Sequence, residues 1–344
     1  PRLTGTIPEQ PSGRDGYMDR FLSYYGNGSY TYRKRYILSA SLRWDGSNLF
    51  GVKTNQRGTP LWSVGGSWEA SGERFYPIAD WLPYLRLRGT YGSAGNVNKS
   101  VSAYPVIRYA MDTGRDLQYA DLQSAGNPSL RWEQVNTLNM GMDWRTMGNR
   151  ITGSIEYYTK WAQDLIGADY LPPSTGIITG GTAVATNLIN YADLQTKGVD
   201  VQINSLNLNG GITWKSLLMV SWVRNRVTHF NTGEVATIGN YFTSPPPVVG
   251  RSRDALYALP WAGLDHETGM PLVWYDGALG AEYSDYYRNY DPADLRIEGV
   301  RVPSFYGSLR NDVSWKGIAL SVLVTWKTNY VFRRESIYPG VEYD

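Results

Sequence analysis

Residues 36–45 read YILSASLRWD, and apolar and polar side chains alternate along this stretch. Successive side chains of a strand point to opposite faces, so a period of two separates the residues into two sets. The apolar set consists of Tyr36, Leu38, Ala40, Leu42 and Trp44. The opposite set consists of Ile37, Ser39, Ser41, Arg43 and Asp45. A tilted strand of about ten residues is long enough to cross a bilayer, so the stretch predicts a membrane strand with one lipid-facing side.

The same alternation recurs along the chain, for example in residues 85–91, 138–145, 151–158 and 318–327. Residues 214–223 are apolar on both faces and fit the pattern less well. Counting these segments predicts about ten spanning strands. They are expected to begin near Leu22, Tyr36, Leu61, Tyr84, Glu133, Ile151, Gly198, Ile212, Phe305 and Ile318.

The predicted connections alternate between short turns and long polar loops. The short turns are at 33–35, 147–149, 207–211 and 315–317, and the long loops are at 46–60, 92–130, 164–195 and 228–303. Residues 72–83 form a longer turn, which lies at the same end of the strands as the short turns. Transmembrane barrels have short periplasmic turns and long extracellular loops, whereas a sandwich has no reason to keep long loops at one end. Within 228–303, residues 256–276 contain one or two further extended pieces, which could be barrel strands or a hairpin of the loop; we favour the hairpin. An open sheet edge is not tolerated in hydrocarbon, so about ten strands predict part of a larger barrel.

Composition excludes several classes of protein. There are 33 Lys and Arg against 31 Asp and Glu, with no basic block, so nucleic acid is not an expected partner. The mean hydropathy of -0.38 comes with no apolar run long enough for a membrane helix. Cysteine is absent, which excludes disulfides and a cysteine nucleophile. The 27 Tyr and 13 Trp suit aromatic girdles or surfaces that stack on sugars, so a secreted β-sandwich that binds glycans stays open as the alternative.

Several short sequence motifs of this chain occur in the same order as in one receptor family. They are RYILSASLRWDGS at 35–47 followed by FG at 50–51, WL at 81–82 with LRLRGTYG at 85–92, NPSLRWE at 127–133, NRITGSIEYY at 149–158, LPPSTG at 171–176, KGVD at 197–200, PSFYG at 303–307 and WKG at 315–317. Over roughly 22–326 the chain resembles the SusC/RagA-type TonB-dependent transporters of the Bacteroidetes outer membrane. Trp44 and His266 depart from that family's usual residues without affecting the fold.

The resemblance implies an all-β fold, a transmembrane antiparallel barrel of about 22 strands, of which residues 1–344 would supply about ten. It also implies an N-terminal plug, a TonB-contacting segment and further strands, which we expect outside this sequence. The expected function is TonB-dependent import of a glycan or oligopeptide through a bacterial outer membrane, with a SusD-like surface lipoprotein as partner and lipid around the barrel. A barrel that serves as a structural subunit of an envelope assembly stays open.

The candidate binding residues are aromatic side chains of the longest loop. Rings presented outside the membrane can stack on a ligand or anchor a lid protein, and they can equally pack the loop on itself. The candidates are Tyr241, Phe242, Trp274, Tyr275, Tyr283, Tyr286, Tyr287 and Tyr290.

Transport breaks no covalent bond, so neither catalytic residues nor a cofactor are expected. The two histidines, His229 and His266, lack metal-ligand spacing, and Asp265, Glu267 and Asp276 lack the spacing of a calcium loop and fit an acidic turn better. The charges on the predicted lumenal face are expected to be hydrogen-bonded parts of the wall or plug contacts. They are Arg43, Arg86, Arg88, Asp143, Arg145 and Glu156.

Overall fold

The computed structural model is built from β-strands with one short helix. The structure describes residues 20–47, 58–96, 105–112, 114–124, 126–170, 178–179, 183–184, 186–231, 237–275, 277–280, 291 and 295–334. The strands are β1 (Phe21–Tyr32), β2 (Tyr36–Ser47), β3 (Gly58–Glu69), β4 (Tyr84–Asn96), β5 (Val106–Asp112), β6 (Leu117–Ser124), β7 (Glu133–Arg145), β8 (Ile151–Tyr170), β9 (Ile178–Thr179), β10 (Ala183–Val184), β11 (Thr186–Asn209), β12 (Ile212–Phe230), β13 (Ala255–Ala258), β14 (Trp261–Leu264), β15 (Pro271–Tyr275), β16 (Ala278–Gly280), β17 (Arg296–Val300), β18 (Phe305–Trp315) and β19 (Ile318–Thr328). The helix is α1 (Ile238–Thr243).

Ten of the strands form one antiparallel sheet in the order β1-β2-β3-β4-β7-β8-β11-β12-β18-β19. Each of the ten predicted spanning strands corresponds to one of these, so the prediction of a ten-stranded partial barrel wall is confirmed. Neighbours in the sheet are also neighbours along the chain once the small loop strands are set aside, which is the up-and-down pattern of an antiparallel barrel. The described strands leave β1 and β19 at the two ends of the order.

The alternation of short turns and long connections is also confirmed. The turns between β1 and β2 and between β18 and β19 are tight, with positive φ at Arg33, Lys34, Lys316 and Gly317. Positive φ at two successive residues is the geometry of the turns that match the twist of a hairpin. The long connections carry the small elements β5–β6, β9–β10, and α1 with β13–β17. The pieces within 256–276 lie outside the large sheet, and β14 pairs with β15 as the predicted loop hairpin.

The predicted loops were too long, most of all the one at 164–195. The sequence analysis assigned 164–195 to a loop and started a strand near Gly198, whereas β11 begins at Thr186 and pairs with β8 as far as Tyr170. Register shifts between Asn190 and Leu194 interrupt the two-residue period there, so alternation does not reveal the strand. Pairing with β8 nevertheless continues, because an irregular polar strand keeps its ladder hydrogen bonds wherever a partner lies beside it.

The outward face of the wall is apolar. Leu38 and Leu42 on β2 are each 60% exposed, and on β19 Leu320 is 61% exposed, as lipid-facing side chains are in the absence of lipid. No helix among the described residues is long and apolar enough to cross a membrane. Buried apolar residues are few among the described residues. Ala192 and Val227 are buried within the large sheet, one cluster forms beside it around Leu130 and Trp132, and a second lies in the connection between β12 and β18.

Candidate functional site on the polar wall and the long loop

A row of charged side chains crosses three strands on the polar face of the wall. The register places Arg88 of β4 opposite Gly141 of β7, and Gly141 opposite Glu156 of β8. Arg88 Nη2 donates to Glu156, while its Nε lies 3.3 Å from Asp143 Oδ2. Asn139 Nδ2 donates to the other oxygen of Glu156 at 3.2 Å. One guanidinium therefore links β4, β7 and β8 through charge-assisted hydrogen bonds.

Glycine at position 141 is what lets Arg88 pass across β7. A Cβ at Gly141 would lie 2.9 Å from both Cζ and Nε of Arg88. Any larger residue would push the guanidinium off its path to Glu156. The contact between strands separated by a third strand thus depends on a residue without a side chain.

The remaining predicted lumenal charges also have partners in the wall. Arg86 lies 3.3 Å from Glu69 of β3, and Arg43 Nε lies 2.7 Å from Asp45 Oδ1 on its own strand. The guanidinium of Arg145 lies 5.1 Å from the ring centre of Tyr84. The prediction that these charges are hydrogen-bonded wall residues is confirmed for the five that make ion pairs, and Arg145 makes a cation–π contact instead.

The connection between β12 and β18 forms a body with its own apolar core. Ile238 of α1, Ala255 and Tyr257 of β13, and Leu295 are buried together. Tyr241 and Phe242, two of the candidate binding residues, pack against this cluster. The ring of Tyr241 meets that of Tyr257 edge-on with centres 5.1 Å apart.

Burial in this cluster raises the pKa of both Tyr241 and Tyr257. Both hydroxyls therefore stay protonated at neutral pH. These rings hold the loop together, which is the packing role that the sequence analysis kept open beside binding.

Arg333, which follows β19, fastens this body to the end of the barrel wall. Its guanidinium donates to the backbone carbonyls of Phe242 at 2.7 Å and Tyr257 at 2.8 Å. It also lies 5.5 Å from the ring centre of Phe242. The sequence analysis missed Arg333, because a lone arginine after the last strand carries no local signal of a contact with residues 76 and 91 positions earlier.

The small sheet β14–β15–β16 presents apolar side chains to solvent. Trp274 of β15 is 49% exposed and lies opposite Leu279 of β16, while Trp261 of β14 is 64% exposed. Tyr275 pairs with Ala278 in the same sheet. Of the candidate residues, Trp274 is the one that the structure shows on an accessible loop surface. Tyr283, Tyr286, Tyr287 and Tyr290 lie outside the described residues.

The tip of the β14–β15 hairpin is an acidic turn. Asp265 Oδ1 accepts hydrogen bonds from the backbone N–H of Glu267 and Thr268 and from the Thr268 hydroxyl, at 2.8 to 3.1 Å. The bonds from Thr268 are the main reason why the pKa of Asp265 lies below its usual range. His266 is solvent-exposed beside Glu267. Over the described ranges no three His, Asp or Glu side chains are grouped as a metal site would need.

Comparison with known proteins assigns the wall to a family. A family model described as the β-barrel of TonB-dependent receptor-like proteins matches residues 3–322. TonB-dependent receptor P3 of Formosa agariphila is 25% identical over 339 residues, which cover 92% of this chain and 32% of the relative. TonB-dependent receptor SusC of Bacteroides thetaiotaomicron is 29% identical over 222 residues, covering 62% of this chain and 21% of SusC. The chain thus spans about a third or less of these relatives.

Solved structures show the same architecture. The RagAB peptide transporter superposes with a TM-score of 0.74 at 21% identity, over 91% of this chain and 33% of that chain. The outer membrane transporter YddB of Escherichia coli superposes with a TM-score of 0.52 at 11% identity, over 90% of this chain and 33% of that chain. These likenesses confirm the fold, and with the named relatives they support the resemblance to SusC and RagA.

A secreted β-sandwich is contradicted by the single ten-stranded sheet with an apolar outward face and by the family match. The matched family consists of outer-membrane receptors and transporters rather than enzymes. The chain belongs to the β-barrel family of the TonB-dependent receptors.

Proposed function

We propose that the protein imports a large nutrient, a glycan or an oligopeptide, as the SusC-like channel of a complex with a SusD-like surface lipoprotein. Energy would come from TonB through a region outside this sequence. The relatives named SusC and RagAB support this proposal, and the latter is described as a peptide transporter. An oligopeptide and a glycan are both kept as substrates, because the identity to RagAB is only 21%.

The observation that carries the proposal is the long-loop body at one end of the wall. It has its own core and a fixed attachment through Arg333, so its surface is held in place relative to the channel. Trp261 and Trp274 are exposed on the small sheet β14–β15–β16 of the same connection, and Trp is enriched among residues that anchor protein interfaces. Exposed rings on a connection whose core is fastened to the end of the polar wall suit capture of a ligand between the barrel and a lid protein.

Two double variants test this role of the loop surface. Trp261→Ala with Trp274→Ala removes the exposed rings from the loop. Phe75→Ala with Trp81→Ala removes two rings from the opposite rim that are more exposed, at 71% and 67%. The measurements are uptake of labelled oligopeptides and of labelled glycans by whole cells, and co-purification of the surface lipoprotein.

We expect the loop variant to lose lipoprotein or substrate binding by about tenfold or more, since a buried Trp anchor typically contributes 2 kcal/mol or more. The opposite-rim variant should behave as the unmodified protein. Normal uptake and normal lipoprotein recovery in the loop variant would contradict the proposed role of these rings. Uptake that does not depend on TonB would contradict the transport proposal itself.

A further inference from the structure

The outward face of β12 changes from apolar to cationic at one position. From Ile212 to Trp222 the outward residues are apolar except for Ser216. Ten residue steps of about 3.3 Å, tilted by about 40°, rise roughly 25 Å, which is the height of the apolar band of an outer-membrane barrel. Trp222 therefore lies at the upper edge of the lipid-facing band. The next outward residues, Arg224 and Arg226, are exposed, while Val227 on the other face is buried.

A third cation lies beside these two. The register pairs Lys197 of β11 directly with Arg224 of β12, and Val199 with Trp222. We call Lys197, Arg224 and Arg226 the cationic row. Like charges directly opposite each other in a sheet are destabilising unless a counter-charge lies between them.

The cationic row has no acidic partner in the described part of the chain. Arg226 Nη2 reaches only the amide oxygen of Gln195, at 3.5 Å. Among the described residues, neither Lys197 nor Arg224 forms an ion pair with a carboxylate. The three cations thus repel one another, and an external anion would relieve that repulsion.

A cavity of about 420 Å³ adjoins the row. Trp222, Arg224, Arg226 and Arg251 line it together with the apolar side chains of Ile297 and others from the segment before β18. Its one acidic lining residue, Asp254, is already engaged, because its Oδ2 accepts from Asn225 Nδ2 at 2.7 Å. The volume is that of a small-molecule site, and its lining combines three arginines with apolar residues.

We propose that the cationic row and this cavity bind the phosphate-bearing headgroup of a lipid in the leaflet on the long-loop side of the membrane. Arg224 lies about 5 Å above Trp222 along the barrel axis, by the rise and tilt used above, which is the level where headgroups begin. Guanidinium groups match phosphate oxygens in geometry and charge. The row faces outward, away from the lumen, so the ligand is a lipid of the surrounding membrane and distinct from transported cargo.

The test compares two triple variants of the full-length protein purified in detergent. One is Lys197→Gln, Arg224→Gln and Arg226→Gln. The matched control removes three exposed cations from the short turns at the opposite rim, Arg33→Gln, Lys34→Gln and Lys316→Gln. The probes are a bisphosphorylated diglucosamine lipid, its dephosphorylated form and inorganic phosphate. Binding is measured by native mass spectrometry and by the shift in thermal unfolding.

The unmodified protein and the control should bind the phosphorylated lipid and ignore the other two probes. The row variant should lose affinity by at least about tenfold, since each Lys or Arg near a charged lipid surface contributes about fivefold. Equal binding of the dephosphorylated lipid or of inorganic phosphate, or full binding by the row variant, overturns the proposal. So does loss of a copurifying protein from the row variant with unchanged lipid binding, which would assign the row to an acidic protein partner.

Heat-modifiable migration on a gel shows that each variant has folded. If the row variant does not fold, the proposal is tested by lipid binding to the single variant Lys197→Gln and by the salt dependence of lipid binding to the unmodified protein. Binding of the phosphorylated lipid that is equally strong at low and high salt would overturn the proposal.

Discussion

Two glycines on the lipid-facing side of the wall should respond differently to the same substitution. Gly153 on β8 and Gly89 on β4 both lie in interior strands with extended backbones. A Cβ at Gly153 would lie 2.4 Å from Trp144 Cζ2 and 2.7 Å from the backbone oxygen of Gln202. A Cβ at Gly89 would have its nearest contact at 4.0 Å. We predict that Gly153→Ala destabilises the barrel and that Gly89→Ala does not.

The expected difference in unfolding free energy between the two variants follows from comparing what each substitution changes. Replacing Gly by Ala within a strand removes the same excess backbone freedom at both sites, so that gain of about 0.5–1 kcal/mol cancels in the comparison. The close contacts remain only at Gly153, where the indole of Trp144 lies over the glycine and the neighbouring backbone is fixed by its ladder. Overpacking of this kind typically costs about 1–3 kcal/mol. We expect Gly153→Ala to be less stable than Gly89→Ala by that amount.

The assay is urea unfolding in detergent, followed by tryptophan fluorescence and by heat-modifiable migration on a gel. Two further variants complete a cycle: Trp144→Ala alone, and Trp144→Ala with Gly153→Ala, which removes the ring and leaves the contact with the Gln202 carbonyl. The second substitution should then cost less than it does in the presence of the ring, so a double-mutant cycle should give a coupling energy between the two positions. Equal unfolding midpoints for Gly153→Ala and Gly89→Ala would refute the reasoning.

Two further predictions concern charges. Arg88→Gln leaves two neighbouring carboxylates without their counter-ion, so it should lower the free energy of unfolding by about 1–2 kcal/mol, after allowance for the partial solvent exposure of Arg88. Adding Glu156→Gln should restore part of this loss. Urea midpoints that show no such recovery would contradict the bridging role of Arg88. Hydrogen bonds from Thr268 lower the pKa of Asp265 in the folded hairpin. Their contribution to the stability of the hairpin is therefore complete above the pKa of Asp265 in the unfolded chain, about 3.9, and is lost as the pH falls through the lower pKa of the folded hairpin. The protection factors of the amides at 265–270, which compare each exchange rate with the intrinsic rate at the same pH, should therefore fall in acid. Asp265→Asn should remove this pH dependence, and Asp265→Ala should give low protection factors at every pH.

The strand count could be predicted from the sequence because alternation is a local property. Residues 36–45 show both faces of β2 without any knowledge of its neighbours, since the strand period of two is set by the backbone itself. The same holds for the short turns, where two or three residues decide the geometry. The start of β11 could not be predicted, because its first residues, 186–190, pair only with β8 among the described strands, and the register shifts that follow interrupt the alternation.

The same distinction between local and tertiary information applies to the candidate binding residues. Their aromatic character and their place in the longest loop were evident from the sequence. Whether a ring turns inward or outward depends on what packs behind it, and Tyr241 and Phe242 turned out to support a core that Tyr257 and Leu295 complete from distant positions. Trp274 stayed exposed because it lies opposite Leu279 in a small sheet outside that core.

The sequence by itself determined the fold class, the ten strands, the lipid-facing sides and the family. The tertiary structure alone decided which side chains meet across strands: Arg88 with Glu156 over Gly141, Trp144 over Gly153, and Lys197 beside Arg224. The physical reason is register. A strand's own residues fix its two faces, but hydrogen-bonded pairing with a neighbour many residues away fixes its height, and only that height brings particular charges and rings together.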